Sequence, residues 1–167
     1  MKRVLLTGMS GTGKSTVIAA LATLGYPAVD LDEGGYSGLV AVEGDEVTGP
    51  GGGQDWVWRE ERVRELLDTD HGAVLFVSGC APNQGAFYAQ LDHVILLSAP
   101  PDVIVERLTN RTNNPFGKRP GEIERVLELQ RTIEPLLRRR ADHEIDTGRP
   151  LDQVVAEVLG LVGLDRQ

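Results

Sequence analysis

The residues with the clearest chemistry lie near the start of the chain, where Gly8 to Ser15 read Gly-Met-Ser-Gly-Thr-Gly-Lys-Ser. The spacing fits GxxxxGK[ST], a pattern whose glycines let backbone N–H groups converge on phosphate oxygens. In this pattern Lys14 reaches the outer phosphates and the hydroxyl of Ser15 ligates Mg²⁺. The sequence therefore predicts a site for a nucleoside triphosphate, taken to be Mg-ATP. The residues predicted to bind it are Gly8, Met9, Ser10, Gly11, Thr12, Gly13, Lys14, Ser15 and Thr16.

The elements that must position this loop are also indicated by the sequence. Before the loop, Val4 to Thr7 form a short apolar run that is typical of a strand buried in a parallel sheet. After it, apolar residues at helical spacing predict a helix that ends near Gly25. A helix that begins at the loop directs the positive end of its dipole toward the phosphates. This context favours a phosphate site over a chance match to the pattern.

Two carboxylates lie at the end of the second predicted strand, residues 28–31, in the sequence Asp30-Leu31-Asp32. Alternate side chains of an extended segment point the same way, so both can share one cleft beside the phosphate loop. The third apolar strand, residues 73–77, ends in Ser78-Gly79 and lacks the acidic residue that large ATPase machines place there. The Asn-Lys-x-Asp motif that GTPases need is also absent from the sequence. The alternative for the two carboxylates is a turn, where Asp is common.

The rest of the chain alternates strands and helices. Further apolar patterns predict strands at 93–97 and 144–146 and helices that begin near Trp56, Pro101, Ile123 and Pro150. Pro135 is expected to interrupt the helix from Ile123, because proline lacks a backbone donor. The alternation predicts an α/β fold in which a parallel sheet lies between helix layers. With 167 residues, the chain is predicted to be one domain, 1–167.

Composition excludes several classes of partner. The net charge of −8 argues against a nucleic-acid surface, which needs basic residues to displace counterions. No apolar run approaches the roughly 20 residues of a membrane span. The single cysteine, Cys80, excludes an intrachain disulfide and a CxxC metal pair. We therefore expect a cytoplasmic monomer or weak homodimer that binds a small-molecule acceptor and has no nucleic-acid or membrane partner.

In five segments the chain resembles the small P-loop kinases of the shikimate kinase and nucleoside monophosphate kinase group, and an AAA-type ATP-binding protein is consistent with the same motif. The matching segments are Gly8–Thr16, Asp30–Asp32, Trp58-Arg59, Arg107–Arg119 and Asp146–Pro150. The resemblance implies a three-layer P-loop fold with a five-stranded parallel sheet of order 2-3-1-4-5. It also implies a mobile lid over the nucleotide, at about 111–121.

The resemblance further implies roles for individual residues. Asp30 would support the magnesium shell. Asp32 would hold the acceptor hydroxyl, and whether it also takes the proton is left open. Arg59 would contact the acceptor, while Arg149 and Pro150 would border the adenine.

Cations are concentrated around the predicted lid. Arg107 and Arg111 are four residues apart and so face one side of a helix, and the following loop adds Lys118 and Arg119. Cations that arrive when a lid closes stabilise the charge of a transferred phosphoryl group. Arg111 is therefore predicted to be catalytic and to contact the nucleotide, with Arg107, Lys118 and Arg119 as further candidates. A solvated helix face is the alternative.

The acceptor side is the least motif-like part of the chain. Shikimate kinases carry three consecutive glycines after the third strand, whereas residues 78–83 here read Ser-Gly-Cys-Ala-Pro-Asn. A glycine-rich segment at 33–55, predicted to be a long acceptor-side loop with a small hairpin around 43–46, replaces their substrate-reading residues. Shikimate itself is therefore not the expected acceptor. Gly79 is nevertheless predicted to contact the substrate.

Other side chains near these segments are candidates for the acceptor pocket. Trp56 and Trp58 are two apart on a predicted helix, so one is expected to pack and the other to floor the pocket, and Trp58 is assigned to the substrate. Asn83 and Gln84 could hydrogen-bond a hydroxyl-rich acceptor or could serve a turn. Cys80 is interpreted as structural because no activating partner is evident.

Together these residues predict an ATP-dependent kinase that transfers the γ-phosphoryl group to a hydroxyl or phosphate of a small metabolite. Lys14, Asp32 and Arg111 are its predicted catalytic residues, and Ser15 and Asp30 its predicted metal site. One alternative is a nucleoside monophosphate kinase, whose acceptor phosphate Arg59 would bind. An alternative of another class is a non-catalytic ATP-binding regulatory module.

Overall fold

The computed structural model describes residues 1–41, 54–112 and 118–164. Their elements, in chain order, are β1 (Lys2–Thr7), α1 (Lys14–Thr23), β2 (Ala28–Asp30), β3 (Ser37–Ala41), β4 (Gln54–Trp58), α2 (Glu60–Asp68), β5 (Val74–Ser78), a 3₁₀ helix (Gln84–Gln90), β6 (His93–Ser98), α3 (Pro101–Asn110), α4 (Glu122–Thr132), α5 (Glu134–Arg140), β7 (His143–Asp146) and α6 (Leu151–Leu161). Strands and helices alternate through most of this order, as the apolar patterns predict.

Five of these strands form one parallel sheet in the order β2-β5-β1-β6-β7. Numbered by their order along the chain, this is the predicted arrangement 2-3-1-4-5, which is confirmed. The central strand β1 places Leu5 beside Val77 of β5 and Val94 of β6. Because parallel strands end at the same edge of a sheet, the segments that follow β1, β2 and β5 meet there.

Alternate residues of β1 contribute to two separate apolar cores, since successive side chains of a strand point to opposite faces. Val4 and Leu6 are fully buried against apolar residues of α1 and α6. Leu5 is fully buried on the other face, where it belongs to a cluster with Trp58, Phe87 and the apolar side of α2. The sheet therefore lies between two helix layers, and the predicted three-layer architecture is confirmed.

The segment at 33–55 differs from the predicted loop. Strands β3 and β4 pair antiparallel in a separate two-stranded sheet. The helix predicted from Trp56 is also wrong, because this residue lies in β4 and α2 begins only at Glu60. The small hairpin predicted around 43–46 falls outside the described residues. The many glycines of this segment hide the strand period, and the pairing is made between residues distant in sequence.

The two tryptophans accordingly lie on a strand. Trp56 is opposite Leu39 in the register and is 39% exposed, whereas Trp58 is 2% exposed. Residues two apart on a strand point to the same side, but only Trp58, at the end of β4, joins the core of the main sheet. The prediction that one tryptophan packs is confirmed, for a reason other than helical geometry.

Proline interrupts the helical segment that follows the predicted lid. Helix α4 ends at Thr132 and α5 begins at Glu134, with Pro135 in its first turn. The first turn tolerates proline because its missing N–H would have no helical partner there. The predicted interruption is confirmed. Within the three described ranges, no helix is long and apolar enough to cross a membrane.

Candidate active site

A cleft of about 630 Å³ lies next to the glycine-rich loop, a size typical of small-ligand sites. The structure brings ten of the predicted site residues into its wall. They are Ser10, Gly11, Gly13, Lys14, Ser15, Thr16, Asp30, Asp32, Arg111 and Arg149. The remaining loop residues Gly8, Met9 and Thr12 are buried beneath the loop surface. The wall does not include Trp58, Arg59, Gly79 or Pro150.

Two glycines show why the loop needs residues without a Cβ. Gly13 caps the start of α1 with a φ of 93°, which residues with a side chain rarely adopt. At Gly8 a Cβ would lie 2.3 Å from the carbonyl oxygen of Leu97 in β6. The loop therefore fits against the neighbouring strand, and α1 begins at the cleft, where its positive end favours anions.

Replacing Gly8 with alanine is expected to lower the melting temperature by several degrees and weaken ADP binding more than about tenfold, because backbone overlap must be relieved by moving the loop. Thermal denaturation with and without ADP checks both effects. Gly25→Ala is the matched control, since Gly25 also has a positive φ of 91° but nothing within 4 Å of a Cβ. ADP binding by Gly8→Ala that equals that of Gly25→Ala would contradict the prediction.

Lys14 is held over the loop by the loop's own backbone. Its Nζ donates hydrogen bonds to the carbonyl oxygens of Gly8, at 2.7 Å, and Met9, at 3.0 Å. These contacts place the ammonium group in the cleft wall, beside backbone amides that favour anions. The arrangement can bind a phosphate group through one full positive charge and several N–H dipoles.

Ser15 and Asp30 form the pair that could support a metal ion. The Ser15 hydroxyl donates to Asp30 Oδ2 at 2.9 Å, and the backbone N–H of Asp32 donates to Asp30 Oδ1 at 3.0 Å. Among the described residues there is no cluster of three His, Cys, Asp or Glu side chains that would bind a metal by itself. A hydroxyl and one carboxylate instead suit Mg²⁺, which keeps water and phosphate oxygens as further ligands. These side chains therefore fit the predicted magnesium site.

Asp32 lies in the same cleft wall and is largely enclosed by protein. Burial raises the pKa of its carboxyl group to about 6, although Lys14 lowers that pKa and Asp30 adds to the rise. The Trp58 indole and the Cys80 amide also favour the charged form. A carboxylate of this kind is ionised at neutral pH and close to the pKa at which a general base is effective.

Gly79 keeps the side chains of Asp32 and Trp58 close together. A Cβ on Gly79 would lie 3.1 Å from both Asp32 Oδ1 and Trp58 Nε1. Both atoms are buried, and neither makes a hydrogen bond of good geometry to the described residues. Trp58 is therefore not the predicted pocket floor, because a side chain 2% exposed has no open ring face for stacking. Its place is behind Asp32, as a support.

Asn83 and Gln84 stabilise the structure, which corrects their candidacy for the acceptor. The Asn83 side chain accepts the backbone N–H of Trp58 at 3.0 Å and donates to its carbonyl at 2.9 Å. Gln84, which is 3% exposed, donates to Thr7 Oγ1 at 3.1 Å and Tyr88 Oη at 2.8 Å. The polar atoms predicted for the acceptor are thus used inside the fold.

The predicted lid cations lie in different surroundings. Both predicted arginines line the cleft: Arg107 belongs to α3, whereas Arg111 follows its last residue and has extended backbone. Burial lowers the pKa of the Arg111 guanidinium, so its charge is partly shielded from water. Lys118 donates to a backbone carbonyl at the end of α3, and both it and Arg119 are exposed. Residues 113–117 of the predicted lid fall outside the described residues.

Arg59 is not brought into the cleft. It is exposed at the start of α2, and its Nε donates to the carbonyl oxygen of Ser37 at 3.4 Å. Its guanidinium group also lies against Gly38, where a Cβ would be 3.2 Å from Nε and Nη2. Arg59 therefore contacts β3 of the small sheet, and its predicted acceptor contact stays a prediction.

The α6 side of the cleft contains an apolar surface that sequence reasoning missed. Arg149 lines this side as predicted and donates to Glu157, whereas Pro150 is exposed outside the wall. Leu151 and Val154 also line the cleft, and Leu151 is 41% exposed. In the sequence, the one signal for Leu151 is its position directly after Arg149 and Pro150, which are predicted to border the adenine.

Comparisons with known proteins agree with this geometry. A family model described as AAA domain matches residues 4–129. The shikimate kinase of Chlorobium chlorochromatii is 32% identical over 146 residues, which cover 82% of this chain and 74% of the relative. The shikimate kinase of Thermodesulfovibrio yellowstonii is 32% identical over 161 residues, or 94% of this chain and 92% of the relative.

A solved structure shows the same fold. The shikimate kinase from Acinetobacter baumannii, determined in complex with shikimate, superposes with a TM-score of 0.64 at 20% identity and covers 97% of this chain and 93% of its own. The relatives support catalysis over the alternative of a non-catalytic regulatory module. The chain belongs to the family that the AAA domain model describes and to the shikimate kinase group of small P-loop kinases, so it is an ATP-dependent phosphotransferase with a small-molecule acceptor.

Proposed function

We propose that the chain transfers the γ-phosphoryl group of Mg-ATP to a hydroxyl or phosphate group of a small metabolite, with a hydroxyl preferred. The observation that carries this proposal is the position of Asp32 in the same cleft as Lys14. A hydroxyl can donate a hydrogen bond to the Asp32 carboxylate. A phosphate placed there would bring two negative groups together in a partly buried site, which is unfavourable.

The donor side of the proposed site consists of the phosphate loop and the first turn of α1. The amide of Gly13 and the ammonium group of Lys14 would bind phosphate oxygens. Ser15 would ligate magnesium, and Asp30, which accepts the Ser15 hydroxyl, would support its water shell. When bound, Mg²⁺ would neutralise part of the negative charge on the phosphates.

On the acceptor side, Asp32 would orient the attacking hydroxyl. Because the pKa of Asp32 is about 6, the carboxylate is ionised at neutral pH and accepts a hydrogen bond. Holding the hydroxyl in line with the phosphoryl group lowers the entropy cost of the reaction. Arg111 would stabilise the charge on the transferred group as the lid closes.

Shikimate is one acceptor to test, because the relatives carry its name. Two features weigh against it: the segment 78–83 lacks the three glycines expected there, and the β3–β4 sheet occupies the region of the substrate-reading residues. The nucleoside monophosphate kinase alternative needs a cation for a second phosphate. Its candidate, Arg59, lies outside the cleft wall.

The proposal is tested by measuring ADP formation with a panel of acceptors. The panel contains shikimate, other hydroxylated metabolites, nucleoside monophosphates and a sample without acceptor. Thermal shifts with a non-hydrolysable ATP analogue identify binding acceptors independently, because a ligand of the native state raises stability. Lys14→Ala is the control and should abolish acceptor-dependent ADP formation. Stimulation by nucleoside monophosphates alone would overturn the hydroxyl proposal.

Activity is expected to fall as the pH decreases through about 6, because Asp32 becomes protonated and no longer accepts a hydrogen bond. Trp58→Phe removes an indole that favours the charged form, so the acid limb of kcat/KM should move to higher pH. Trp56→Phe, on the exposed part of β4, is the matched control and should leave the limb in place. Equal profiles for the two variants would contradict a contact between the indole and Asp32.

A further inference from the structure

Arg107 and Thr147 are linked to the phosphate loop by a continuous set of hydrogen bonds. Arg107 Nη1 donates to the carbonyl oxygen of Gly11 at 3.2 Å and to Thr147 Oγ1 at 2.9 Å, while Nη2 donates to the Thr147 carbonyl at 2.5 Å. The Thr147 hydroxyl in turn donates to the carbonyl oxygen of Thr12 at 2.6 Å. We call Arg107 and Thr147 the loop bracket.

The loop bracket is anchored to the main sheet. The backbone N–H of Thr147 donates to the carbonyl oxygen of Ser98, the last residue of β6, at 2.8 Å. Thr147 is 4% exposed and Thr12 is fully buried, so their hydrogen bonds are shielded from water. Arg107 belongs to α3. The bracket therefore joins the loop to the ends of β6 and β7 and to α3.

These contacts determine where the loop amides point. In a planar trans peptide the C=O and the following N–H point in opposite directions. The Thr12 carbonyl is directed at Thr147, so the N–H of the next residue, Gly13, is directed away from it. Gly13 lines the cleft, whereas the N–H of Thr12 donates within the loop to Met9 at 3.3 Å. The bracket thus acts on the peptide whose N–H is available to a phosphate.

We propose that Arg107 and Thr147 are positioning residues that orient the loop amides for the nucleotide phosphates, and that Arg107 is not a lid cation. This differs from the sequence-based candidacy of Arg107, because its guanidinium group is engaged by oxygens of Gly11 and Thr147. The inference rests on the ATP site of the proposed function and is independent of the acceptor.

Binding of ADP and of a non-hydrolysable ATP analogue, measured by calorimetry, tests the role of Thr147. Thr147→Val keeps the shape of the side chain but leaves the Thr12 carbonyl without its donor, so both dissociation constants should rise roughly 5- to 30-fold. Thr147→Ser retains the hydroxyl and should bind within about threefold of the native protein. Thr132→Val is the matched control, since the exposed Thr132 hydroxyl donates to the carbonyl oxygen of Glu128 within α4.

Arg107→Lys separates the positioning role from that of a lid cation. Lysine keeps the charge but cannot donate to Gly11 and Thr147 in the same fork geometry. A positioning role predicts that ADP and the ATP analogue are weakened by similar factors. Selective weakening of the ATP analogue would indicate contact with the outermost phosphate and overturn the proposal.

Two further outcomes are decisive. A Thr147→Val protein with a lower melting temperature and native affinity for ADP would show a purely structural role and also overturn the proposal. The proposal would also be overturned if Thr147→Ser bound ADP no more tightly than Thr147→Val. Because binding is measured without an acceptor, absence of kinase activity in the acceptor panel leaves these readouts unchanged.

Discussion

Asp32→Asn is expected to lower the turnover number by about 10²- to 10⁴-fold while leaving ATP affinity within about twofold of the native protein. The substitution keeps the size of the side chain but removes the negative charge that holds the acceptor hydroxyl. The ATP site depends on Lys14, Ser15 and the loop amides, and the substitution leaves all of these groups in place. Steady-state kinetics with the acceptor found in the panel, together with calorimetry for the ATP analogue, check both parts.

The same substitution should also change how the stability of the folded protein depends on pH. Burial raises the pKa of Asp32 to about 6 from an ordinary value of 3.8, so ionisation is unfavourable in the folded protein. The native protein therefore loses stability relative to the unfolded chain as the pH rises through this interval. Asparagine does not titrate. We therefore compare the two melting temperatures at each pH. The melting temperature of Asp32→Asn minus that of the native protein should increase between about pH 4 and pH 7, and this difference should stay constant at higher pH.

A collapse of ATP affinity in Asp32→Asn would reassign this carboxylate to the magnesium shell. Asp30→Asn is the comparison variant, because its carboxylate accepts the Ser15 hydroxyl at 2.9 Å. We expect Asp30→Asn to raise the magnesium concentration that is needed for half-maximal activity. Asp32→Asn should leave that concentration unchanged.

Arg111→Ala is expected to reduce kcat by about 10³-fold or more, with a much smaller change in the affinity for ADP. Arg111 directly follows α3 and lines the cleft. The charge of its guanidinium group is partly shielded from water, and electrostatic stabilisation is strong in such surroundings. Arg111→Lys keeps the charge without the planar fork and should recover only part of the rate. Single-turnover kinetics distinguish a slower transfer step from slower product release.

The control for this arginine is Arg131→Ala, which removes an exposed arginine from α4. It should leave kcat and nucleotide affinity within about twofold of native, as is usual for surface substitutions. A rate loss in Arg111→Ala no larger than that of the control would contradict the assignment. A loss of ADP affinity with kcat unchanged would instead indicate a role in ground-state binding alone.

The parts of the site that follow a local pattern could be predicted from the sequence. The phosphate loop, the buried strand before it and the helix after it are specified by neighbouring residues, so Gly8–Ser15 was placed correctly in the fold. Asp30 and Asp32 were predicted to share a cleft from strand geometry alone, and both line it. Pro135 was likewise sufficient to predict a break between two helices.

The parts that depend on distant contacts could not be predicted in this way. The pairing of β3 with β4 joins segments across a glycine-rich stretch. The glycines hide the period of each strand, so the sequence pattern predicts a helix where Trp58 lies in β4. Charge and helical spacing are the only local signals at Arg107, and they indicate a lid cation. Its actual partner, Thr147, is 40 residues further along the chain, and no short motif indicates that contact.

The position of Trp58 has a spectroscopic consequence. The chain contains two tryptophans, so Trp56→Phe leaves a protein whose only indole borders Gly79 beside the Asp32 carboxylate. Near-ultraviolet excitation of that variant reports on a single buried chromophore, and its emission should change as the neighbouring carboxyl group gains or loses charge. The protonation state of Asp32 can therefore be followed by intrinsic fluorescence before any acceptor has been identified.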